Sequence, residues 1–257
     1  MKKYMMDFLV KRNVKVHSLY SLLVLTQGHD EALPEMLPGQ FVQVAVADSP
    51  HTFLRRPISI NFVDPVNREL WLLVRRAGEG TEHLIALSEG SVVNLLLPLG
   101  NGFSTDVPLG KKLILVGGGV GVAPLLYLGH RLKEAGHQPE FLLGARSATD
   151  VLQLDEFSAV GKVYVSTEDG SMGEKGLVTL NSVWEQPFDM VYCCGPAPMM
   201  KAVAAICRQK GVSCEVSLEN MMACGLGACL CCVEKTVKGN VCVCTEGPVF
   251  NTDQLTW

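Results

Sequence analysis

What this chain of 257 residues lacks limits its chemistry before any motif is read. Histidine is scarce, six residues with none beyond His137, so the chain after that point offers no imidazole to a mixed Cys/His zinc site. Positive charge is not in excess: 22 Lys and Arg stand against 26 Asp and Glu, a net charge of −4. That balance argues against a nucleic-acid partner, whose footprint is basic and clustered. No apolar run is long enough for a membrane span. The most apolar stretch, Leu113 to Leu128, is broken by Gly117, Gly118, Gly119, Gly121 and Pro124. No signal peptide is read at the N-terminus, where Lys11 and Arg12 interrupt a short stretch, so the expected location is the cytoplasm. Internal repeats and low-complexity tracts are missing too. With 48% hydrophobic and 19% charged residues, the composition fits two modest globular domains and a small appendage.

Cysteine is what the chain has in plenty, ten residues in all. Cys224, Cys229 and Cys232 are spaced C-x4-C-x2-C, and Cys244 follows after eleven intervening residues. This is the spacing of a plant-type [2Fe–2S] cluster, which needs thiolates from a short, sharply curved loop. Gly225 and Gly227 lie inside that loop and let backbone N–H groups approach the sulfur atoms. Zinc prefers paired short spacings, and disulfides prefer an oxidising compartment, so both are weaker readings. Cys193, Cys194, Cys207 and Cys214 are scattered, as suits a reducing cytosol. Cys231 and Cys242 sit near the proposed ligands without fitting the spacing. The cluster implies one-electron transfer.

The rest of the chain reads as two rhythms. From Val14 to Pro98, short β-runs alternate with turns: Val14–Thr26, Phe41–Val46, Ile58–Val63, Leu70–Arg75 and Ser91–Leu97, with a helical patch at Thr81–Leu87. This pattern predicts a small antiparallel β-barrel. After Gly110 strands and helices alternate. Strands are expected at Lys112–Val116, Pro139–Leu143, Lys162–Ser166, Met190–Cys194 and Ser213–Ser217, helices at Val122–Ala135 and Met199–Lys210. Such alternation predicts a doubly wound parallel sheet. The expected fold is therefore multidomain, β plus α/β: a barrel over 1–104, a parallel-sheet domain over 105–212, and a small cluster domain over 213–257.

Two turns of the second domain suit a dinucleotide. Gly117, Gly118, Gly119 and Gly121 follow a buried strand and open a helix, where the backbone can approach a pyrophosphate. A plain tight turn would read the same way. Cys194 and Gly195, in Cys194-Gly-Pro-Ala-Pro-Met199, end a later strand of that sheet and would face the same crevice. Cys194 reads equally as a nicotinamide contact and as a small buried thiol. No acid ends the next strand at Gly144, so the usual ribose rule does not apply directly. In the first domain, Arg55-Arg56-Pro57-Ile58-Ser59 offers an arginine fork for a phosphate and a hydroxyl for a flavin nitrogen. Gly80 and Thr81 begin a helical patch whose N–H groups can take a pyrophosphate, though Thr81 also reads as a simple cap.

In combination these motifs resemble the ferredoxin–NADP reductase superfamily, and within it the electron-transfer subunits of NAD-dependent (type B) dihydroorotate dehydrogenases. The most telling stretches are Met222-Ala-Cys-Gly-Leu-Gly-Ala-Cys229 and Val243-Cys-Thr-Glu-Gly-Pro-Val-Phe250. The resemblance implies FAD on the barrel, NAD in the middle domain and the cluster at the C-terminus. By position, Arg56, Pro57, Ile58, Ser59, Leu73, Val74, Arg75, Gly80 and Thr81 would meet FAD, and Cys224, Cys229, Cys232 and Cys244 would hold the cluster. It also implies a partner, a catalytic FMN-containing subunit that oxidises dihydroorotate in pyrimidine biosynthesis, in a heterotetramer of two of each. No catalytic base or nucleophile for a pyrimidine is read in this chain. One departure is Ile58, which stands where the superfamily commonly has a tyrosine stacked on the flavin. Two rival readings are a subunit of an NAD(P)H-dependent ferredoxin or sulfide oxidoreductase, and a zinc-stabilised interaction protein. The second leaves the flavin and nucleotide motifs unexplained.

Overall fold

The computed structural model describes residues 2–27, 32–47 and 49–257. Its first sheet uses β1 (Tyr4–His17), β2 (Tyr20–Thr26), β3 (Phe41–Val44), β4 (Arg56–Ser59), β5 (Phe62–Asp64), β6 (Glu69–Arg75) and β7 (Val92–Leu99), with helix α1 (Glu79–Ile85) between β6 and β7. The spatial order is β4-β3-β7-β1-β2-β6-β5, and every pair is antiparallel. The sheet curls into a half-barrel around Phe8, Leu23, Leu25, Val42, Leu72 and Leu95.

Two expected strands are divided. Val14–Thr26 is a hairpin turning at Ser18 and Leu19, and its first strand reaches back to Tyr4. Lys11, Arg12, Asn13 and Lys15 hide that strand from a hydrophobic-run reading because one side of it faces water. Ile58–Val63 breaks at Ile60 and Asn61. There the Asn61 amide leaves the sheet to donate to the Ala123 carbonyl and to Gln153 Oε1, both at 2.9 Å. β2 is apolar nearly throughout for a related reason. Leu23 and Leu25 fill the half-barrel, while Leu22 and Val24 pack against the second domain.

The second sheet has β8 (Leu113–Gly118) at its centre, flanked by β9 (Glu140–Ala145) and then β10 (Lys162–Thr167) and β11 (Glu174–Lys175). On the other side lie β12 (Met190–Cys194) and β13 (Ser213–Ser217), all parallel. Alternation decides which helix covers which face. Leu113, Leu115, Phe141 and Tyr192 pack under α2 (Ala123–Glu134) and α3 (Leu154–Val160). Ile114, Val116, Val191 and Val216 pack under α4 (Ala197–Lys210). Because β9 and β12 leave β8 on opposite sides, the chain reverses direction there, and a crevice opens beyond the carboxyl end of β8.

The sheet runs past the expected junction at 212/213, since β13 pairs with β12 from Met190↔Ser213 to Cys194↔Ser217. The chain then leaves for a loop, a hairpin of β14 (Val233–Thr236) and β15 (Gly239–Cys242), and the short α5 (Val243–Glu246). It returns as β16 (Val249–Asn251), antiparallel to β13. The cysteine-rich segment is thus anchored to the parallel sheet at both ends.

Candidate functional site

The two expected turns meet beyond β8. A Cβ on Gly121 would lie 2.5 Å from both the Cys194 carbonyl oxygen and Gly195 Cα, so only glycine permits the contact. Around this junction is a cavity of about 450 Å3, lined by Gly118, Gly119, Pro196 and Met199 near the turns, with Tyr20, Arg75 and Glu219 at one end. Arg146, Ser166 and Glu168 line it further out, at the ends of β9 and β10. Gly118 and Gly119 line the cavity, and Gly117, Gly121 and Gly195 lie at the junction beside it.

Cys194 is placed differently from its neighbours. It is buried in the core, and burial, followed by the charge of Glu219, raises its thiol well above the ordinary cysteine range. Glu219 is reached by solvent through the cavity mouth, yet protein surrounds it. That desolvation raises its carboxyl pKa, and the Arg75 guanidinium opposes the rise. Burial likewise raises the Tyr20 phenol, again against Arg75. Arg75 lies on β6 of the half-barrel, so the cavity spans both sheets.

On the half-barrel, the arginine doublet divides into two roles. Arg55 is committed to the sheet: its Nη1 donates to the carbonyls of Gln43 (3.2 Å) and Asn94 (3.0 Å), and its Nη2 to Asn94 Oδ1 at 2.5 Å. Arg56 instead reaches the start of α1, where a Cβ on Gly80 would lie 2.5 Å from its Nε. The guanidinium and the backbone at Gly80 thus form one cradle, fitted to a phosphate. The Thr81 hydroxyl accepts from the Ala77 and Gly78 N–H groups and donates to the Gly78 carbonyl, so it braces this turn. Pro57, Ile58 and Ser59 are half-buried along β4. Leu73 and Val74 are buried in the two cores, which leaves only their backbone for a ligand.

The cysteine loop rests on the same half-barrel. Gly225 has φ +69°, and a Cβ there would lie 2.9 Å from Gln43 Cγ. Gln43 is fully buried on β3, donates from Nε2 to the Ala223 carbonyl at 3.3 Å, and has no partner for its Oε1. Backbone N–H groups point at ligand sulfurs: Leu226 at Cys224 Sγ (3.3 Å), Gly227 at Cys244 Sγ (3.2 Å) and Cys244 at Cys232 Sγ (3.4 Å). Burial works against ionising Cys224, but the N–H groups of Leu226, Cys229 and Ala228 and the Cys229 thiol together lower its pKa to about 6. Cys244 lies deeper. Burial and the adjacent Cys232 thiol push it up to about 12, against the Gly227 N–H.

Among the described residues, no three ligating side chains converge on a single ion. The Cys244 N–H sets Cys244 beside Cys232 on the buried side, while Cys224 and Cys229 lie nearer to solvent. N–H groups oriented at these sulfurs fit a [2Fe–2S] cluster better than one zinc ion. Cys229 is exposed, and Cys232 and Cys244 are buried, so the site has a solvent side and a core side.

Four residues of these sites were not singled out from sequence. Gln43 carries no motif and is seen only where two sheets approach. Tyr20 and Glu219 line the cavity from distant parts of the chain. Glu168 had a readable signal: it is an acid just beyond a strand, but the strand is β10 rather than β9, where the ribose rule looks first.

Comparisons with known proteins agree with this geometry. Residues 219–256 match the iron-sulfur cluster binding domain of dihydroorotate dehydrogenase B, and residues 115–205 match the oxidoreductase NAD-binding domain. The electron transfer subunit of dihydroorotate dehydrogenase B (NAD(+)) from Lysinibacillus sphaericus is 44% identical over 228 residues, covering 86% of this chain and 88% of that protein. The subunit of the same name from Listeria monocytogenes serotype 4b is 41% identical, over 91% of both chains. Among solved structures, an NADH-dependent reduced ferredoxin-NADP oxidoreductase superposes with a TM-score of 0.86 at 29% identity, covering 98% of this chain and 90% of that one. The FAD/NAD binding domain of a Vibrio cholerae nitric oxide dioxygenase, at 22% identity and TM-score 0.68 over 80% of this chain and 94% of its own, shares the fold. The chain belongs to the family of electron transfer subunits of NAD-dependent dihydroorotate dehydrogenase B.

Proposed function

We propose that this chain takes electrons from dihydroorotate oxidised at the FMN of a separate catalytic subunit and delivers them to NAD+ by way of a [2Fe–2S] cluster and FAD. One observation carries the order of the sites. The half-barrel touches the cysteine loop through Gln43 on β3, and opens onto the nucleotide cavity through Arg75 on β6. The flavin strand β4 pairs with β3 and also packs against β6, so the FAD site adjoins both. Bound there, FAD exchanges a hydride with a nicotinamide and single electrons with an iron–sulfur cluster.

The residues have separable tasks. Arg56, with the backbone of Gly80 and Thr81, holds the FAD phosphates, while Pro57, Ile58, Ser59 and the backbone of Leu73, Val74 and Arg75 line the flavin. Gly117, Gly118, Gly119, Gly121 and Gly195 let the dinucleotide approach the backbone, and Glu168 receives the ribose hydroxyls. Cys194 shapes the floor beneath them from inside the core. Cys224, Cys229, Cys232 and Cys244 hold the cluster. The division at 1–104, 105–212 and 213–257 follows these tasks, although β13 is shared.

Met221, Leu226 and Leu230 are exposed on or next to the cysteine loop. In our reading this face docks the catalytic subunit, in a heterotetramer of two of each, in the cytoplasm. Purified alone, the chain should reduce an artificial acceptor with NADH and fail to oxidise dihydroorotate. Adding the catalytic FMN subunit should restore NAD+ reduction by dihydroorotate. Dihydroorotate turnover by this chain alone would overturn the assignment.

A further inference from the structure

The cluster site contains a fifth thiol. Cys242 ends β15 directly opposite Val233, the residue after Cys232, and the Val243 N–H donates to the Cys232 carbonyl at 3.0 Å. This pairing turns the Cys242 side chain into the cysteine loop, where its Sγ lies 3.8 Å from the Gly227 carbonyl oxygen. The N–H of the same Gly227 points at Cys244 Sγ, and the Cys244 N–H points at Cys232 Sγ. A half-buried spare thiol therefore stands at the same loop as the buried Cys232 and Cys244, where one iron needs two thiolates. Cys231, the other spare cysteine of the segment, is exposed.

We propose that Cys242 is an interchangeable ligand of the cluster, able to take the place of Cys232 on the inner iron. The inference rests on the cluster reading above and adds a fifth residue to it. The exchange balances without a redox step. The iron–sulfur bond to Cys232 breaks, a bond to Cys242 forms, and the thiol proton of Cys242 passes to the released Cys232 thiolate. The number of thiolates on the iron and the charge of the site would be unchanged. The hairpin supplies the proximity, because β14 and β15 hold residues 233 and 242 in register whichever sulfur is bound.

The test compares Cys232→Ala with the double variant Cys232→Ala/Cys242→Ala, using Cys231→Ala as the control. Alanine offers no oxygen that could itself bind iron. Each protein is reconstituted with iron and sulfide and judged by iron content and the EPR spectrum of the reduced cluster, on material that still holds FAD. Wild type and Cys231→Ala should carry a full cluster. Cys232→Ala should keep at least about half of the iron with a shifted but thiolate-type spectrum, and the double variant should lose it, a difference of roughly tenfold or more, in line with metal-site losses. If Cys232→Ala does not accumulate, Cys232→Val with and without Cys242→Ala provides the same comparison, again without an oxygen that could bind iron. Equal loss of iron in the single and double variants would overturn the proposal while leaving the cluster assignment intact. A wild type without a cluster would instead overturn the assignment itself.

Discussion

The parallel sheet and the cysteine segment that hangs from it hold their shape by different means. In the sheet, Ile114, Leu115, Val116 and Leu142 have no exposed surface, and helices cover both faces. Burying such a side chain stabilises by about 1.5–3 kcal/mol, so the sheet and its cavity need no ligand to form. The segment has few apolar anchors, chiefly Val243 and the thiols of Cys232 and Cys244, and leaves Met221 83% and Leu230 64% exposed. What it has instead is sulfur aimed inward and N–H groups aimed at sulfur. A cluster held by these thiols would supply the missing stability, because metal-binding energy is folding energy. The nucleotide site is therefore built by packing, and the cluster site by coordination.

This contrast is broken most sharply by removing a ligand. Cys229→Ser should reduce dihydroorotate-dependent NAD+ reduction in the assembled enzyme by more than about a hundredfold, beyond the range of outer-shell metal-site mutations. NADH oxidation with an artificial acceptor should persist in part, since the sheet does not depend on the loop. Steady-state assays of both reactions on the same preparation check this. Parallel loss of both would mean that the two regions are not separable.

The next effect concerns the arginine doublet. Arg56→Ala removes a charge-assisted bond worth roughly 1.5–3 kcal/mol, so FAD affinity should fall about tenfold to a hundredfold. Arg55→Ala should lower thermal stability, because the Gln43 and Asn94 carbonyls lose their donor, with FAD affinity nearly unchanged. Fluorescence titration of the apoprotein with FAD separates the two. Equal FAD retention would erase the distinction.

A smaller change is expected at the outer end of the cavity. In the proposed site Glu168 would repel a 2′-phosphate and suit a free ribose hydroxyl. Glu168→Gln should therefore narrow the preference for NADH over NADPH by about tenfold, the size of one charge-assisted hydrogen bond. The ratio of kcat/KM for the two nucleotides measures it, and an unchanged ratio would remove Glu168 from the site.

The smallest effect should appear where the sheets join. Asn61 and Gln153 exchange amide hydrogen bonds at 2.9 and 3.0 Å, both side chains buried. Asn61→Ala leaves a buried amide unpaired and should cost about 1–3 kcal/mol in chemical denaturation, with FAD and iron content unaltered.

The sequence made some of this visible and hid the rest for physical reasons. The parallel sheet was legible because strands buried on both faces are nearly continuous apolar runs between helices and glycine turns. The cluster-binding segment was legible because a [2Fe–2S] cluster fixes the spacing of its cysteines. β1 was not, because its polar side faces water, and neither was the break at Asn61, which serves a contact with Gln153 far along the chain. Gln43, Tyr20 and Glu219 acquire meaning only when the two sheets and the loop are brought together. The separation of Arg56 from Arg55 was implied by the family resemblance alone, since its physical cause is that the sheet consumes the Arg55 guanidinium.

The central claim is that one chain connects a nicotinamide site to an iron–sulfur site through a flavin. Its most direct test is anaerobic addition of NADH to the purified chain, followed together by flavin absorbance and by the EPR signal of the reduced cluster. The account predicts that the flavin bleaches and the cluster signal appears in the wild type, whereas in Cys229→Ser the flavin bleaches and no native cluster signal follows. A flavin that NADH cannot reduce, or a fully reduced flavin beside an intact cluster that never receives an electron, would contradict it.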